Sequence, residues 1–413
     1  MHLVNLNKEL RRIEFKHCKI FTKLDQKIKM IKSPINRLIL LGNGFDLAHQ
    51  LKTNYNDFIL WYLVEALQQA QTHREYADEL MTVTFPDLYD LNALHTQGLD
   101  NVLEFVNYFY KKGFSQMIDG SALKFPNWQN TYTPPFKFNL HSNLLATLLL
   151  NCNHANWVDI ENTFYEQLKH TLRNTSRQKK EVEIAALNSS LKIIINKLEE
   201  YLSTLDVVAH KTSYDSIIDS PFDAGEFVGL TAKEELYSEI DQTMILNFNY
   251  TSTVENYVDD LSMNDAHIIL NYIHGKLGDK KNRPIFGFGD ELDKDYADFE
   301  LDRTKGIFEY IKSFWYFKTS NYHNLIRFID SAPYQIYTLG HSCGLSDRTM
   351  LNMIFEHKNC KSVKIFYHQN GDSNDYTRLT QEISRHFKDK QDMRRKIVPF
   401  DRSSPMPQVI KNQ

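Results

Sequence analysis

Glycine-bearing turns and short polar segments hold the residues of this sequence whose chemistry suits binding of a small molecule. The first is GNGFD, Gly42 to Asp46, which follows an apolar run. Glycines at such a position let the backbone approach a phosphate and expose N–H groups at the start of a helix. The segment is shorter than the three-glycine dinucleotide pattern, so it is also consistent with an ordinary tight turn. Asp46 could cap the helix or face a bound ribose or water.

Two polar segments further along the chain add candidate side chains. Asn247 to Thr251 (NFNYT) ends a predicted strand and is rich in hydrogen-bonding groups. His274 also ends a predicted strand and is followed by Gly275, a position that suits a general base or a ribose contact. The alternatives are a loop whose polar groups bind local backbone and a structural histidine. A second glycine turn, Leu339 to Asp347 (LGHSCGLSD), could hold the other end of a dinucleotide.

The spacing of potential metal ligands does not predict a metal site. Asp159 and Glu161, in the segment NWVDIE, lie two positions apart and diverge on a helix, so they form no carboxylate pair. The histidines show no HExxH or comparable spacing. The cysteines show neither zinc-ribbon nor redox-pair spacing, and their scatter is typical of inert thiols in a reducing cytosol. These cysteines are Cys18, Cys152, Cys343 and Cys360.

A parallel β-sheet is the element that would bring these segments together. Arg37 to Leu41 (RLILL) is a mainly apolar run ended by glycine, as expected where a buried parallel strand meets its turn. The segment SDRTMLNMIFEH, between the last two strand candidates, predicts a strand–helix–strand unit with a right-handed crossover. Ligands of such sheets bind outside the carboxyl ends of the strands. The later strand candidates are Thr243 to Tyr250, His267 to His274, Pro284 to Phe288, Gln335 to Gly340 and Ser362 to Tyr367.

Changes in the hydrophobic period predict how the chain is divided. Helical spacing predominates from about residue 55 to 230, whereas strand candidates predominate after about residue 240. The fold class predicted is α/β, a Rossmann-like parallel sheet with a large helical insertion. Its segments are a basic helical extension at 1–34, a Rossmann-like core at 35–60 and 235–400, a helical insertion or cap at 61–234 and a tail at 401–413.

The composition narrows the class of partner. The 413 residues carry a formal net charge of −4 and a pI near 6.5, which argues against bulk electrostatic binding to nucleic acid. No run approaches the roughly 18 apolar residues of a membrane span. Charges interrupt the amino-terminal segment every few positions, so we predict no secretory signal. We therefore expect a cytoplasmic protein that binds neither membrane nor nucleic acid.

The order of these segments resembles the AbiH-type bacteriophage abortive infection proteins. The resemblance covers roughly residues 35–370. It implies antiviral defence, with an unknown phage trigger and regulation by assembly, for which a homo-oligomer is one possible form. The motifs that carry it are LLGNGFDLAHQLKTNYNDF (40–58), NWVDIE (156–161), LNFNYT (246–251), IHG (273–275) and LGHSCGLSD (339–347).

The same order is similar to a divergent sirtuin-type core, and this similarity implies NAD as the small-molecule substrate. At neighbouring positions Asn43, Asp46, Thr251 and His341 differ from the sirtuin pattern. The zinc-binding cysteine pairs of protein deacetylases do not occur in this sequence, so protein deacylation is not implied. The positions that match the sirtuin pattern are Gly42, Gly44, Asn249, His274, Gly340 and Ser342.

The similarity implies cleavage of the nicotinamide–ribose bond of NAD without a metal. Such cleavage passes through a positively charged, oxocarbenium-like state. Asn249 would orient the ribose or the attacking water, His274 would act as base or bind a ribose hydroxyl, and Asp46 would stabilise the positive charge. Backbone N–H groups of the GNG turn would contact the diphosphate. The predicted nucleotide-binding residues are Gly42, Asn43, Gly44, Phe45, Asn247, Tyr250, Gly275, Gly340, His341 and Ser342.

The sequence leaves two other functions open. The protein could bind NAD, ADP-ribose or another nucleotide without turnover, as a nucleotide-sensing or protein-binding defence module. It could instead be a metal-dependent nuclease toxin that uses Asp46, Asp159 and Glu161, although hard cations need converging oxygen ligands. Saturable binding without product would favour the first, and nucleic-acid cleavage abolished by a chelator would favour the second.

Overall fold

A six-stranded parallel sheet forms the centre of the structure, which is a computed structural model. It describes residues 33–85, 106, 137–151, 160–206, 214–232, 234, 238–262 and 267–408. The strands are β1 (Ser33–Leu41), β2 (Glu75–Ala77), β3 (Met81–Thr84), β4 (Lys137–Leu140), β5 (Ser238–Asn247), β6 (Ile268–Tyr272), β7 (Tyr334–Leu339), β8 (Cys360–Tyr367), β9 (Gln369–Asn370), β10 (Ser373–Asn374) and β11 (Ser404–Pro405). The central sheet contains β1, β5, β6, β7, β8 and β11, and each neighbouring pair is parallel. The predicted mixed α/β class with a parallel sheet is confirmed.

The order of these strands is that of doubly wound nucleotide-binding folds. Across the sheet the strands follow the order β11-β8-β7-β1-β5-β6. Strand β1 lies in the middle of the sheet, and β5 and β6 follow on one side of it. The chain then crosses to the other side of β1, where β7, β8 and β11 lie. In such sheets the reversal of direction leaves a crevice at the carboxyl ends of the two central strands, where ligands bind. In this protein that switch point lies between β1 and β7.

Helices cover both faces of the central sheet, which explains the apolar runs of its strands. The α-helices that the structure describes are α1 (Asn43–Ala48), α2 (Tyr55–His73), α3 (Asn143–Asn151), α4 (Ile160–Asn174), α5 (Arg177–Ser203), α6 (Tyr214–Ile218), α7 (Glu255–Ser262), α8 (Tyr296–Leu301), α9 (Lys312–Trp315), α10 (Asn321–Ser331), α11 (Arg348–Glu356), α12 (Tyr376–Ser384) and α13 (Lys390–Lys396). One face packs against α10, α11 and α12, for example through Phe328 and Ile354. The other packs against α1, α6 and α7, for example through Phe45 and Tyr257.

The segment predicted as a helical insertion forms a second core with its own small sheet. Helices α2 to α5 share a cluster of buried side chains that includes Phe58, Leu148, Phe164 and Leu191. Strands β2, β3 and β4 form an antiparallel sheet beside them. The prediction of helix alone was incomplete, because strands of three or four residues are too short to show an alternating pattern. We call α2 to α5 with β2 to β4 the helical lobe.

One predicted strand is a loop in the structure. Within Pro284 to Phe288, Phe288 forms an isolated β-bridge to Ile311, and the Ile285 N–H donates to the His274 carbonyl at 2.7 Å, but no strand is formed. The backbone turns at Gly287, where φ is +145° and an added Cβ would lie 2.1 Å from the Tyr310 carbonyl oxygen. A side chain does not fit there, so glycine fixes the close approach of two loops instead of continuing a ladder.

The predicted carboxyl-terminal tail contributes to the sheet. Ser404 and Pro405 (β11) pair in parallel with Phe366 and Tyr367 of β8 and form the sixth strand. Most of the predicted 1–34 extension lies outside the described residues, as do Cys18, Cys152 and Asp159. Among the helices that the structure describes, none combines the length and apolar character needed to cross a bilayer.

Candidate functional site

Three glycines let the turns after β1 and β7 touch at the switch point. A Cβ on Gly42 would lie 2.5 Å from the His341 Cα, and one on Gly340 would lie 2.4 Å from the Phe45 nitrogen. Gly340 also has a φ of +74°, which L side chains rarely adopt. The N–H groups of Gly42 and Gly44 donate to the carbonyls of Leu339 (3.1 Å) and Gly340 (2.9 Å). These two N–H groups are therefore already used, and a phosphate would have to bind to another part of the turn.

Asp46 is a buried carboxylate just beyond that turn. It is 1% exposed, and its Oδ2 accepts a hydrogen bond from the Thr251 hydroxyl at 2.6 Å. Its Oδ1 is buried and accepts no hydrogen bond of normal length, because the neighbouring Thr253 hydroxyl donates to the Thr251 hydroxyl at 3.2 Å. Burial raises the pKa of Asp46 to about 6, and the hydroxyls of Thr251 and Thr253 act in the opposite direction. Asp46 is thus mostly ionised at neutral pH, at a cost that a ligand donating to Oδ1 could offset.

Polar residues at the ends of β5 and β6 lie near this carboxylate, whose charge acts on Tyr272. The Asn247 Oδ1 accepts from the Asn249 main-chain N–H at 3.0 Å. In the register of the sheet, Asn247 lies beside Tyr272, whose hydroxyl donates to Glu255 at 2.8 Å. Burial, and then the bond to Glu255, raise the pKa of Tyr272, so its hydroxyl stays protonated. We call Asp46, Asn247, Thr251, Thr253 and Tyr272 the Asp46 group.

Asn249 connects the β1 and β5 ends of the sheet. Its side-chain Nδ2 donates to the Gly42 carbonyl at 3.1 Å, and the residue is 7% exposed. The expected ribose-orienting amide is therefore also a structural link between two turns. A substitution at Asn249 would change the position of the glycine turn as well as any ligand contact.

His274 lies in a second buried group, in which charges are paired. Its Nε2 is 3.0 Å from Asp347 Oδ1 and 3.2 Å from the Tyr316 hydroxyl. The same Asp347 oxygen accepts from the fully buried Lys312 ammonium at 2.9 Å, and that ammonium also donates to Glu161 at 2.8 Å. We call His274, Asp347, Lys312, Glu161 and Tyr316 the His274 group.

The charges of the His274 group fix one another. Burial opposes the charge on Lys312, but Asp347 and Glu161 outweigh burial and raise its pKa. Burial alone would raise the pKa of Asp347, but Lys312 and then His274 lower it. Burial and the positive charge of Lys312 lower the pKa of His274, so its imidazole is neutral at pH 7. The group therefore offers a neutral imidazole held by a permanent carboxylate.

His341, after β7, adds a neutral imidazole at the switch point. Its ring contacts Phe248 with 4.0 Å between ring centroids, and Phe248 meets His274 edge-on at 5.0 Å. The Cys343 main-chain N–H donates to the Nδ1 of His341 at 3.0 Å, so the ring carries its proton on Nε2. Burial lowers the pKa of His341 to about 4.

The remaining predicted nucleotide-binding residues have mainly structural contacts. Phe45 is fully buried, with its ring 4.8 Å from that of Tyr214. The Asn43 Oδ1 accepts from the Thr53 hydroxyl at 2.5 Å, and the Tyr250 hydroxyl donates to the Ile285 carbonyl at 3.1 Å. Of the other two, Gly275 has a φ of +83° and packs on the Arg283 carbonyl, whereas Ser342 is exposed.

The structure places the predicted catalytic residues on two faces of the sheet. The Asp46 group adjoins the core formed with α1, α6 and α7, whereas His274 packs on Phe248 and Tyr316 in the core formed with α10, α11 and α12. Glu161, considered as a metal ligand, pairs with Lys312 instead. Over the ranges that the structure describes, no three His, Cys, Asp or Glu side chains are grouped as a metal ion would require.

Sequence reasoning missed Lys312 and did not single out Asp347. One signal was available for Lys312, since it stands among apolar and aromatic residues in IFEYIKSFWYF. A lysine in such a run is a candidate buried cation, which needs a carboxylate partner. For Asp347, part of the LGHSCGLSD turn, position alone gave no indication that it would contact His274.

A comparison with known families agrees with the order of the motifs. The family model described as "Bacteriophage abortive infection AbiH" matches residues 38–369, which contain both groups and the helical lobe. A search of curated proteins finds no match.

Proposed function

The chain belongs to the bacteriophage abortive infection AbiH family, and from this premise we propose that it defends cells against phage by cleaving NAD at the nicotinamide–ribose bond. The proposal includes a nucleotide-binding core of the sirtuin type and a site along the carboxyl edge of the central sheet. A dinucleotide lying across this edge would contact the Asp46 group on one face and the His274 group on the other.

One observation carries the proposal. At the switch point of a doubly wound sheet, where nucleotides bind in other proteins, Asp46 keeps a buried carboxylate oxygen without a partner. Buried polar groups are almost always hydrogen-bonded, so each exception calls for an explanation. A ribose hydroxyl or a positively charged ribose would supply the missing interaction and offset the cost of burying the charge.

The arrangement suits displacement of nicotinamide by water. As the bond from C1′ to nicotinamide breaks, its electron pair leaves with nicotinamide and positive charge develops on the ribose. The Asp46 carboxylate would stabilise that charge in a site with little water, where electrostatic interactions are strong. Water then bonds to C1′ and loses a proton, and the products are nicotinamide and ADP-ribose.

His274 is the residue we assign to the proton. A neutral imidazole can accept a proton from water or from a ribose hydroxyl, and Asp347 would stabilise the imidazolium that results. Lys312 keeps Asp347 ionised throughout, because its ammonium contacts the same carboxylate oxygen. The Asn249 amide, between the two groups, would orient the ribose or the water.

A second candidate function is the binding of a nucleotide without turnover, and it has its own support. Gly42, Gly44 and Asn249 all use their N–H groups inside the protein, and His274 is held by Asp347 and Tyr316. Groups that are already bonded inside the protein are not available for a chemical step. Such a site suits a ligand that binds and dissociates without reaction. Equilibrium binding of NAD with no nicotinamide released over hours would favour this function.

Measurement of NAD in infected cells tests the proposal directly. Cells with the intact protein should lose NAD after phage infection and before lysis. Cells with the Asn249→Ala/His274→Ala double variant should keep their NAD and lose protection. Protection of the cells against phage with unchanged NAD would overturn the hydrolase proposal. Nucleotide binding without turnover would then be the hypothesis to test.

An in vitro assay with matched variants locates the site. Asp46→Asn should lower the rate of nicotinamide release by about 100-fold, the size of effect seen when one electrostatic group of an active site is removed. Asp372→Asn, on the exposed turn between β9 and β10, provides a control of equal charge change and should keep the full rate. Equal rates for Asp46→Asn and the control would exclude Asp46 from the reaction.

A further inference from the structure

The amino edge of the central sheet, away from both polar groups, contains a cavity of about 480 Å³. An irregularity in β5 lies in its wall. Ile35 pairs with Ile240, but Arg37 pairs with Thr243, so β5 has one residue more than β1 over this stretch. Such bulges bend a strand and re-aim its side chains, and they are frequent beside binding sites.

A buried cation forms the inner wall of this cavity. Arg37 is fully buried and donates to the carbonyls of Ile218 (3.3 Å), Ser220 (2.5 Å) and Pro221 (3.4 Å). Its guanidinium also lies 4.4 Å from the centre of the Tyr337 ring. Its Nε has no hydrogen-bond partner, and in the part of the chain that the structure describes no carboxylate forms an ion pair with it.

The hydroxyl of Ser238 adds a second unsatisfied donor. Its Oγ is buried without a partner, and the residue lines the same cavity. Among the described residues no carboxylate contacts Arg37 directly, although Glu226 and Asp219 act on its charge from further away. A buried guanidinium without a direct ion pair and a buried hydroxyl without an acceptor both favour an anionic oxygen between them. Opposite charge lies at the mouth, since Asp219 and Asp241 are exposed and also line the cavity.

We propose that this cavity binds a small zwitterion of the basic amino acid class, with its carboxylate toward Arg37 and Ser238 and its ammonium toward Asp219 and Asp241. The volume is within the range of small-molecule sites, and the positive interior with an acidic mouth fits opposite charges at the two ends of one ligand. This site is separate from the proposed nucleotide site and does not depend on the activity proposed there.

A matched ligand series tests the proposal on the full chain by calorimetry. L-lysine carries both charges, cadaverine is lysine without its carboxylate, and hexanoate carries the carboxylate alone. We expect measurable binding of L-lysine and at least tenfold weaker binding of the other two, because each lacks one interaction. Equal binding of lysine and cadaverine, or no binding of lysine at millimolar concentration, would overturn the proposal.

Variants separate the two ends of the ligand. Ser238→Ala should weaken lysine binding several-fold and leave cadaverine binding unchanged, because it removes a hydroxyl from the carboxylate end only. Asp241→Asn should weaken both, by up to about fivefold, the range for exposed charge pairs. Asp372→Asn is the control for a change of net charge, and an equal effect in this variant would show that binding is non-specific. Thermal unfolding without ligand verifies that the variants are folded.

Discussion

The two polar groups at the carboxyl edge differ in how completely the protein satisfies them. In the His274 group the ammonium of Lys312 lies within 2.9 Å of two carboxylates, and one of these also contacts the imidazole. In the Asp46 group a single carboxylate is buried with hydroxyls as its neighbours, and one of its oxygens has no partner. Throughout the described residues, no cation forms an ion pair with Asp46.

This difference distinguishes a group that is held in place by its own ion pairs from a group that gains stability when a ligand binds. A group whose buried charges are paired stabilises its own geometry and is costly to break. The His274 group also joins three segments, because Glu161 comes from α4 of the helical lobe, Lys312 from α9 and Asp347 from the turn after β7. A carboxylate without a counter-ion destabilises the free protein and favours whatever binds to it. The Asp46 group is therefore the better candidate for direct contact with substrate.

The largest effect should follow from removing the cation of the His274 group. Lys312→Met removes the buried ammonium that pairs with both Asp347 and Glu161, which we expect to lower the free energy of unfolding by about 3 to 5 kcal/mol. Urea unfolding at pH 7 measures this change. The pKa of His274 should also rise, because the positive charge of Lys312 contributes to lowering it.

An exposed ion pair provides the matched control for Lys312. Lys197 donates to Glu200 at 2.9 Å on the surface of α5, so Lys197→Met should cost less than about 1 kcal/mol. Similar losses in the two variants would mean that the His274 group is no more than an ordinary surface ion pair, and the contrast between the groups would fail.

The sequence predicted one of these groups better than the other for a physical reason. In the Asp46 group, Asp46 and Asn247 stand at or just after apolar runs, and in a parallel sheet the ends of neighbouring strands meet at one edge. The local pattern therefore placed them at the same edge. Lys312 and Glu161 are 151 positions apart and come from a short helix and the helical lobe. Their contact depends on how two separate cores pack, which no local pattern contains.

The sequence also did not predict on which face of the sheet each polar group lies. Asp46 and His274 each stand just after a strand, and the side on which each lies depends on the turn that follows. For Asp46 that turn is held by the pairing of the β1 and β7 turns through Gly42, Gly44 and Gly340. This pairing requires the strand order, and an apolar run shows that a strand is buried without showing which strand lies beside it.

The next effect concerns pH and the uncompensated carboxylate. The pKa of Asp46 is raised from 3.8 to about 6 in the folded protein, so folding favours the protonated form. The contribution of Asp46 to the free energy of unfolding is most favourable below pH 4. This contribution falls by about 3 kcal/mol in all as the pH rises through 6. Asp46→Asn should remove this dependence, so that its stability relative to wild type rises between pH 4 and pH 7. Urea unfolding across that range measures the difference.

Asp302→Asn is the control with a shift of opposite sign. Hydrogen bonds from Thr304, against a smaller effect of burial, lower the pKa of Asp302 to about 2. Its stabilising effect is therefore complete above pH 4 and is lost only as pH falls toward 2. The difference between this variant and wild type should be constant from pH 4 to pH 7. A constant difference for Asp46→Asn as well would mean that Asp46 is not held in the costly ionised state we infer.

The smallest effect isolates one hydrogen bond of the Asp46 group. Thr251→Val keeps the shape of the side chain and removes the hydroxyl that donates to Asp46 Oδ2, which we expect to cost about 1.5 kcal/mol at pH 7. Because the bond stabilises the ionised carboxylate, the pKa of Asp46 should rise further above 6. In an Asp46→Asn background the same substitution should lower the free energy of unfolding clearly less, because the carboxylate that accepts this hydrogen bond has been removed. An equal cost in both backgrounds would assign the loss to packing and would remove Thr251 from the electrostatics of the site.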